Sequence, residues 1–267
     1  MYRAVFYFPN GLGVLRVFCG AGLGLSPERK ITMKFVKSEK YDKEFLKQNM
    51  MGPNCLKLLE DLTDGLELKM GERVLDLGCG KGLTSIFLAR EYGLNVFATD
   101  LWISATDNFK RFKAAGLEKY IVPIHAEAHE LPYAEEFFDC AISVDSYHYF
   151  GNDAGYMDKH LAPLVKKGGL IAIVVPGTVE EYGKVPEILR PYLTPEDFDT
   201  LHSLGWWEDI FKKSSLLRVE SLRDYTSDEA WQDWLECDDE YAIKDSDMFE
   251  KGCGKYFNFI AMTGRRI

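Results

Sequence analysis

Apolar positions between residues 73 and 176 switch repeatedly between two periods. Val74, Leu75 and Leu77 form a short apolar run of the kind a strand shows when both its faces are buried. Leu83, Ile86, Phe87 and Arg90 then recur at helical spacing, with Gly78, Gly80 and Gly82 at alternate positions between the two patterns. The reading is strand, glycine turn, helix. The same alternation continues: a second strand over Asn95–Trp102 containing the acid Asp100, a helix capped near Ser104 and closed by Gly116, a third strand over Tyr120–His125, and a fourth over Phe137–Asp145. A helix is expected to end over Leu161–Lys167, and Leu170–Pro176 reads as a fifth buried strand. Strands alternating with helices predict an α/β fold with a doubly wound, largely parallel sheet.

The flanks are patterned differently. From Tyr41 to Gly71 the chain reads as helical, with Leu56, Leu58, Leu59 and Leu62 near one face and Gly52-Pro53-Asn54 as a helix start. Beyond the fifth strand, Leu201–Ser214 reads as a helix carrying His202, Trp206 and Trp207, and Leu216–Ser221 as a sixth strand. Trp231–Asp247 is acidic and helical, a cap insertion, and Tyr256–Thr263 makes a last strand. Residues 1–32 differ in kind: Met1–Leu25 is apolar and glycine-rich without an acid, and five glycines with Pro9 break the continuous apolar stretch that a secretory signal needs. They read as an atypical leader that is not native, or as a disordered tail. The expected organisation is therefore a leader over 1–32, an N-terminal helical lid over 33–72, an α/β core over 73–176, and the C-terminal half of the sheet with helical caps over 177–267.

Composition narrows the partners. At 267 residues and 46% hydrophobic, the chain is long enough to bury a full core. A formal charge of −10 argues against nucleic acid, whose binding rests on Lys and Arg neutralising phosphates. No apolar run approaches the ~18 residues of a membrane-spanning helix. The six cysteines have neither Cys-x-x-Cys nor Cys/His zinc spacing, so no metal is expected; they read as reduced thiols of a cytoplasmic protein.

The glycine turn is the candidate ligand seat, because such a turn places backbone N–H groups and a helix N-terminus where no side chain blocks a ligand. A dinucleotide fingerprint, Gly-x-Gly-x-x-Gly, fails here, since counting from Gly78 the third glycine position holds Leu83. Asp100, 20 residues beyond Gly80, falls where a carboxylate beside the turn accepts from the hydroxyls of a ribose, which suits NAD and S-adenosylmethionine alike.

Asp76-x-Gly78-x-Gly80-x-Gly82 resembles the first motif of the class I methyltransferases that use S-adenosylmethionine, and the later signals resemble the same family in order. They are Glu127-Ala128 after the third strand, the Leu131-Pro132-Tyr133 turn, Phe138-Asp139 leading the fourth strand, and Lys167-Gly168-Gly169-Leu170-Ile171. The resemblance is to the small-molecule, type 11-like branch, and implies a Rossmann-like, seven-stranded sheet with the last strand antiparallel and helices on both faces. It also implies S-adenosylmethionine as cofactor, with Asp76, Gly78, Gly80 and Gly82 at the turn, Asp100 and Leu101 at the ribose, Glu127 and Ala128 at the adenine, Asp145 after the fourth strand, and Tyr41 of the lid reaching the methionine end.

The segment Asp145–Gly151 is expected to face methyl group and acceptor. It lacks the Pro-Pro-aromatic motif of nucleic-acid amino-methyltransferases. His148, which titrates near neutrality, is the candidate base, with Tyr147 beside it; Tyr147, Tyr149 and Phe150 are candidates for an acceptor pocket shared with Trp206 and Trp207. The leading expectation is transfer of a methyl group to a small-molecule N, O, S or C acceptor. A methyltransferase of protein or RNA, and a regulatory protein that holds the cofactor without turnover, are the alternatives. The intact mass of the protein from its natural host is expected to match a chain beginning at Met33; an intact Met1 terminus overturns that start.

Overall fold

The computed structural model describes residues 34–153 and 155–267, so the leader and the expected start at Met33 lie outside the described residues. Two helices come first, α1 (Lys43–Asn49) and α2 (Cys55–Thr63). Gly52-Pro53-Asn54 does start α2: the Asn54 side chain accepts from the backbone N–H groups of Leu56 and Lys57. The core then runs β1 (Arg73–Leu77), α3 (Leu83–Tyr92), β2 (Asn95–Asp100), α4 (Ala105–Ala114), β3 (Ile121–His125), β4 (Phe138–Val144) and β5 (Val165–Thr178). Short α5 (Pro195–Phe198) and α6 (Leu204–Lys212) lead to β6 (Leu217–Tyr225), and α7 (Asp228–Leu235) with α8 (Glu240–Glu250) to β7 (Phe257–Arg266).

All seven strands join one sheet in the order β3-β2-β1-β4-β5-β7-β6. β1 pairs in parallel with β2 and β4, β2 with β3, and β4 with β5, while β7 runs antiparallel to both β5 and β6. This is the doubly wound, Rossmann-like sheet expected from the sequence, and burial of both its faces explains why the middles of its central strands are mostly apolar. Val74, Ile142, Ala172 and Val174 enter one buried cluster with Leu56, Leu59, Phe87 and Trp234. Their neighbours Leu75, Leu77, Ala141, Ile171 and Ile173 enter another, on the opposite face, with Tyr147, Trp207 and Phe211. A third, smaller cluster joins Leu189, Tyr192 and Phe198 to Met248, Cys253 and Phe257.

The main departure lies before β5. The helix expected over Leu161–Lys167 is one π-type turn (Met157–Leu161) and a 3-10 turn (Ala162–Leu164), and the strand begins already at Val165. Pro163 lacks the N–H that would continue a helix. Past it, Val165 pairs with Phe138 before the register shifts to Cys140–Leu170, with Gly168 at a φ of 77° and Lys166 paired to Asp139. β6 and β7 also run further than their apolar cores, to Tyr225 and Arg266, because each lends the other backbone partners through its polar residues.

Gly82 sets the angle at which α3 leaves β1. Its φ of 82° is left-handed, and a Cβ there would collide with the ring of Phe112 from α4. Gly82→Ala is expected to lower unfolding free energy by about 1–3 kcal/mol, measured by urea denaturation; an unchanged midpoint overturns this account of the turn.

Candidate functional site

A cavity of about 240 Å³ opens at the carboxyl ends of β1, β2 and β4, beside the segment that follows β3. Its floor is the glycine turn from Leu77 to Lys81, its sides are Thr99–Trp102, Ala126–His129 and Val144–Ser146, and the stretch Asn49–Cys55 ahead of α2 covers it. This is the crevice in which open α/β sheets hold ligands.

The turn is closely tied to the next strand. Gly78 N–H and Cys79 N–H both donate to the Thr99 carbonyl (2.8 and 3.1 Å), Gly80 N–H donates to Asp100 Oδ2 (2.8 Å), and Gly82 N–H to the Cys79 carbonyl (2.9 Å). Asn108 Nδ2 of α4 donates to the Gly80 carbonyl at 2.9 Å. The donors expected to be free are therefore engaged within the chain, and the glycines contribute space instead. At Gly78 a side chain would collide with Ser146 Oγ, which itself donates to the Leu77 carbonyl at 2.9 Å.

Asp100 is buried, and its Oδ1 accepts from both Trp102 N–H and Ile103 N–H at 2.8 Å. With Gly80 N–H on Oδ2, one lone-pair direction of the carboxylate is left for a ligand, rather than the two that a pair of ribose hydroxyls would take. Leu101 and Trp102, 49% and 64% exposed, stand at the mouth with Tyr149, and the Trp102 and Tyr149 rings meet edge to face at 5.1 Å.

Asp76 lies beneath the turn and does not line the cavity. Thr84 Oγ1 and Ser85 Oγ donate to its Oδ2 at 2.7 and 2.5 Å, Oδ1 has no partner, and burial pushes its carboxyl up to about 6. Gly82 is likewise structural, at the start of α3. Glu127 and Ala128 do line the cavity. The Glu127 carboxylate accepts from His129 N–H and contacts His129 Nδ1, both at 2.8 Å, and that histidine holds it below the usual range; the Ala128 carbonyl accepts from Tyr156 Oη at 2.9 Å.

After β4 the side chains diverge. Asp145, at a φ of 55°, Tyr149 and Phe150 line the cavity. Tyr147 and His148 point away from it. Tyr147 is fully buried among Phe150, Tyr156, Trp207 and Phe211, with its hydroxyl unpartnered. His148 is 3% exposed with Nδ1 unpartnered, and burial pushes its pKa down to about 3, so the imidazole is neutral at physiological pH. Trp206 and Trp207 are also absent from the lining, and Trp207 packs against Phe211 at 5.6 Å. Tyr41 packs against Phe87 at 5.7 Å, with its hydroxyl toward Glu91, again outside the cavity. In their place the covering segment supplies Met51, Pro53 and Cys55, residues whose one sequence signal is the Gly-Pro-Asn helix start beside them.

Comparison with known proteins bears on this geometry. Residues 74–169 match the family model described as a methyltransferase domain. The likeness is to a methyltransferase domain. Over 164 residues it is 30% identical to the methyltransferase GfsG of Streptomyces halstedii, spanning 60% of this chain and 58% of that one. It is 28% identical to the glycine/sarcosine/dimethylglycine N-methyltransferase of Actinopolyspora halophila, over 61% of this chain and 28% of the other. Methyltransferase domains with this fold are also found in solved structures. The geranyl diphosphate C-methyltransferase of Streptomyces coelicolor superposes with a TM-score of 0.63 at 16% identity, covering 79% of this chain and 78% of that one. The Haemonchus contortus phosphoethanolamine N-methyltransferase 2 gives 0.66 at 19%, covering 90% and 61%. No helix among the described residues is long and apolar enough to cross a membrane.

Among the matched residues, Asp145 stands out: burial, then the charge of Asp245, push its carboxyl up to about 8. A carboxyl whose folded pKa lies above its unfolded value favours the protonated form, so folding stability falls as pH rises from about 4 toward about 8. Asp145→Asn removes that loss and is expected to be more stable than the wild type by about 1–3 kcal/mol at pH 8, with the gain fading toward pH 4. Urea denaturation at the two pH values measures it, and a gain independent of pH overturns the assignment.

Proposed function

We propose that this chain transfers a methyl group from S-adenosylmethionine to a small-molecule acceptor. The observation that carries the reading is the glycine turn whose N–H groups are already engaged. A pyrophosphate needs those donors and a cation, whereas here Gly78, Cys79 and Gly80 donate inward and Lys81 Nζ donates to the Gln48 carbonyl at 3.2 Å. What the turn offers is close approach beside carboxylates, which suits a nucleoside bearing positive rather than negative charge. The residues fit the cofactor: Asp100 holds a ribose hydroxyl through its remaining lone pair, Leu101 and Ala128 flank the base, Glu127 takes its amino group, and Gly78 and Gly80 leave room for the amino-acid arm. Asp76 and Gly82 act one layer below by fixing the turn. The methyltransferases to which the chain is similar support the same cofactor.

When bound, S-adenosylmethionine supplies a methyl group on a positively charged sulfur, open to in-line displacement by an acceptor lone pair. The chain's own contribution is orientation and exclusion of water. Effects of that kind supply roughly 7–11 kcal/mol in well-oriented reactions. Residues 49–55 serve as the lid, and the aromatic pair at the mouth, Trp102 and Tyr149, shields the opening. His148, buried and neutral behind the wall, holds that wall in place and takes no proton from the acceptor.

Calorimetric titration is expected to show S-adenosylmethionine and S-adenosylhomocysteine binding with micromolar affinity and no heat from NAD. Asp100→Ala should weaken both by about 10–100-fold, the cost of a lost charged hydrogen bond. NAD binding as tight as that of S-adenosylmethionine, or no binding of either, overturns the reading.

A further inference from the structure

Asp145, which the resemblance puts with the cofactor, is left without a role by the assignments above. Asp145 contributes a carboxylate to the lining that accepts no hydrogen bond and joins no ion pair among the described residues. A side chain at position 52 would collide with its Oδ2, so the glycine is what lets the covering segment pass directly over this carboxylate. Beside it the Tyr149 ring is half-exposed to the cavity and set edge to face against Trp102. Two further carboxylates lie near enough to act on Tyr149: Asp245 of α8, whose Oδ2 accepts from Trp234 Nε1 at 2.9 Å, and Asp197 of α5, which is engaged by Thr194. Their charges and that of Asp145 bear together on the Tyr149 phenol and, after burial, push it up to about 12, with no Lys or Arg acting against them. On the other side stands the thiol of Cys55, held protonated by burial and by Asp145 and Asp76.

A partnerless carboxylate in an enclosed space, with two more negative groups acting on the same side, is costly unless a cation completes it. Aromatic faces turned to the same space attract that cation through their quadrupoles. We propose that this wall selects a positively charged acceptor, an ammonium group held by Asp145 against the rings of Tyr149 and Trp102. The inference rests on the methyltransferase reading and names the acceptor class within it. For a protonated amine the same carboxylate receives the proton: one ammonium N–H proton passes to an Asp145 oxygen, the nitrogen keeps the electron pair with which it bonds to the methyl carbon, and the bond from that carbon to the donor sulfur breaks with its electron pair left on sulfur as a neutral thioether. Burial and Asp245 raise Asp145 to about 8 in the free chain; a bound ammonium favours its charged form, which then takes the proton.

The test compares choline with its uncharged isostere 3,3-dimethylbutan-1-ol, each titrated calorimetrically into the protein with and without S-adenosylhomocysteine. Choline is expected to bind about tenfold or more tightly than the alcohol. Asp145→Asn should remove that preference while S-adenosylhomocysteine affinity stays within about twofold. Asp245→Asn, outside the cavity lining, should reduce the preference about threefold, which keeps the proposal testable should Asp145→Asn not fold. Equal binding of the two probes, or a preference that survives in Asp145→Asn, overturns the proposal. So does a parallel loss of choline and S-adenosylhomocysteine in that variant, which moves Asp145 to the cofactor. A wild-type chain that binds no S-adenosylhomocysteine overturns the methyltransferase reading instead, and its choline preference is then read from the titration without cofactor.

Discussion

The carboxylate of Asp100 is the tie on which the site depends. One oxygen takes the Gly80 N–H from the β1–α3 turn, and the other takes the two N–H groups that follow its own strand. Three backbone donors that would otherwise need water or ligand are thereby satisfied by a single buried charge, which holds the ends of β1 and β2 in one rigid seat. The Thr99 carbonyl completes the tie through Gly78 and Cys79. Such a seat is built before any ligand arrives, so ligand binding has little left to order.

Much of this was legible in the sequence because it is local. The change from strand to helical period around Gly78–Gly82, the acid ending β2 and the apolar runs of β4 and β5 each report on a few consecutive residues, and each of those strands is found in the sheet. What escaped was the direction in which a side chain points after a strand ends. The tripeptide Tyr147-His148-Tyr149 folds into a 3-10 turn, and only its third side chain reaches the cavity. Nothing in composition distinguishes three aromatic rings in a row. The backbone left-handed at Asp145 decides which of them turns inward, and an aspartate at positive φ carries no glycine to advertise it.

The covering wall was hidden for another reason. The resemblance puts Tyr41 at the methionine end of the cofactor, yet its ring packs against Phe87 and its hydroxyl faces Glu91 on the flank of α3. Met51, Pro53 and Cys55 lie over the cavity because Asn54 caps α2 and its backbone N–H donates to the Ala230 carbonyl at 2.9 Å, a contact across 176 residues of chain that no local pattern encodes. Likewise Asn108 looks like any polar residue in an amphipathic helix, and only the packing of α4 brings its amide to Gly80.

The strand order carries a consequence for how the chain is made. β6 touches the sheet through β7 alone, and β7 lies between β5 and β6 although it is the last strand in sequence. Strands β1 to β5 pair directly with one another as they emerge, and they bring with them every strand end that borders the cavity. β6 has no backbone partner until residues 257–266 have been synthesised, and until then β5 keeps one edge open. The cofactor seat thus belongs to the half of the sheet that assembles first. α7 and α8, which bring Asp233 to the Asn54 amide and Asp245 to the acceptor side, dock last and close a site already formed.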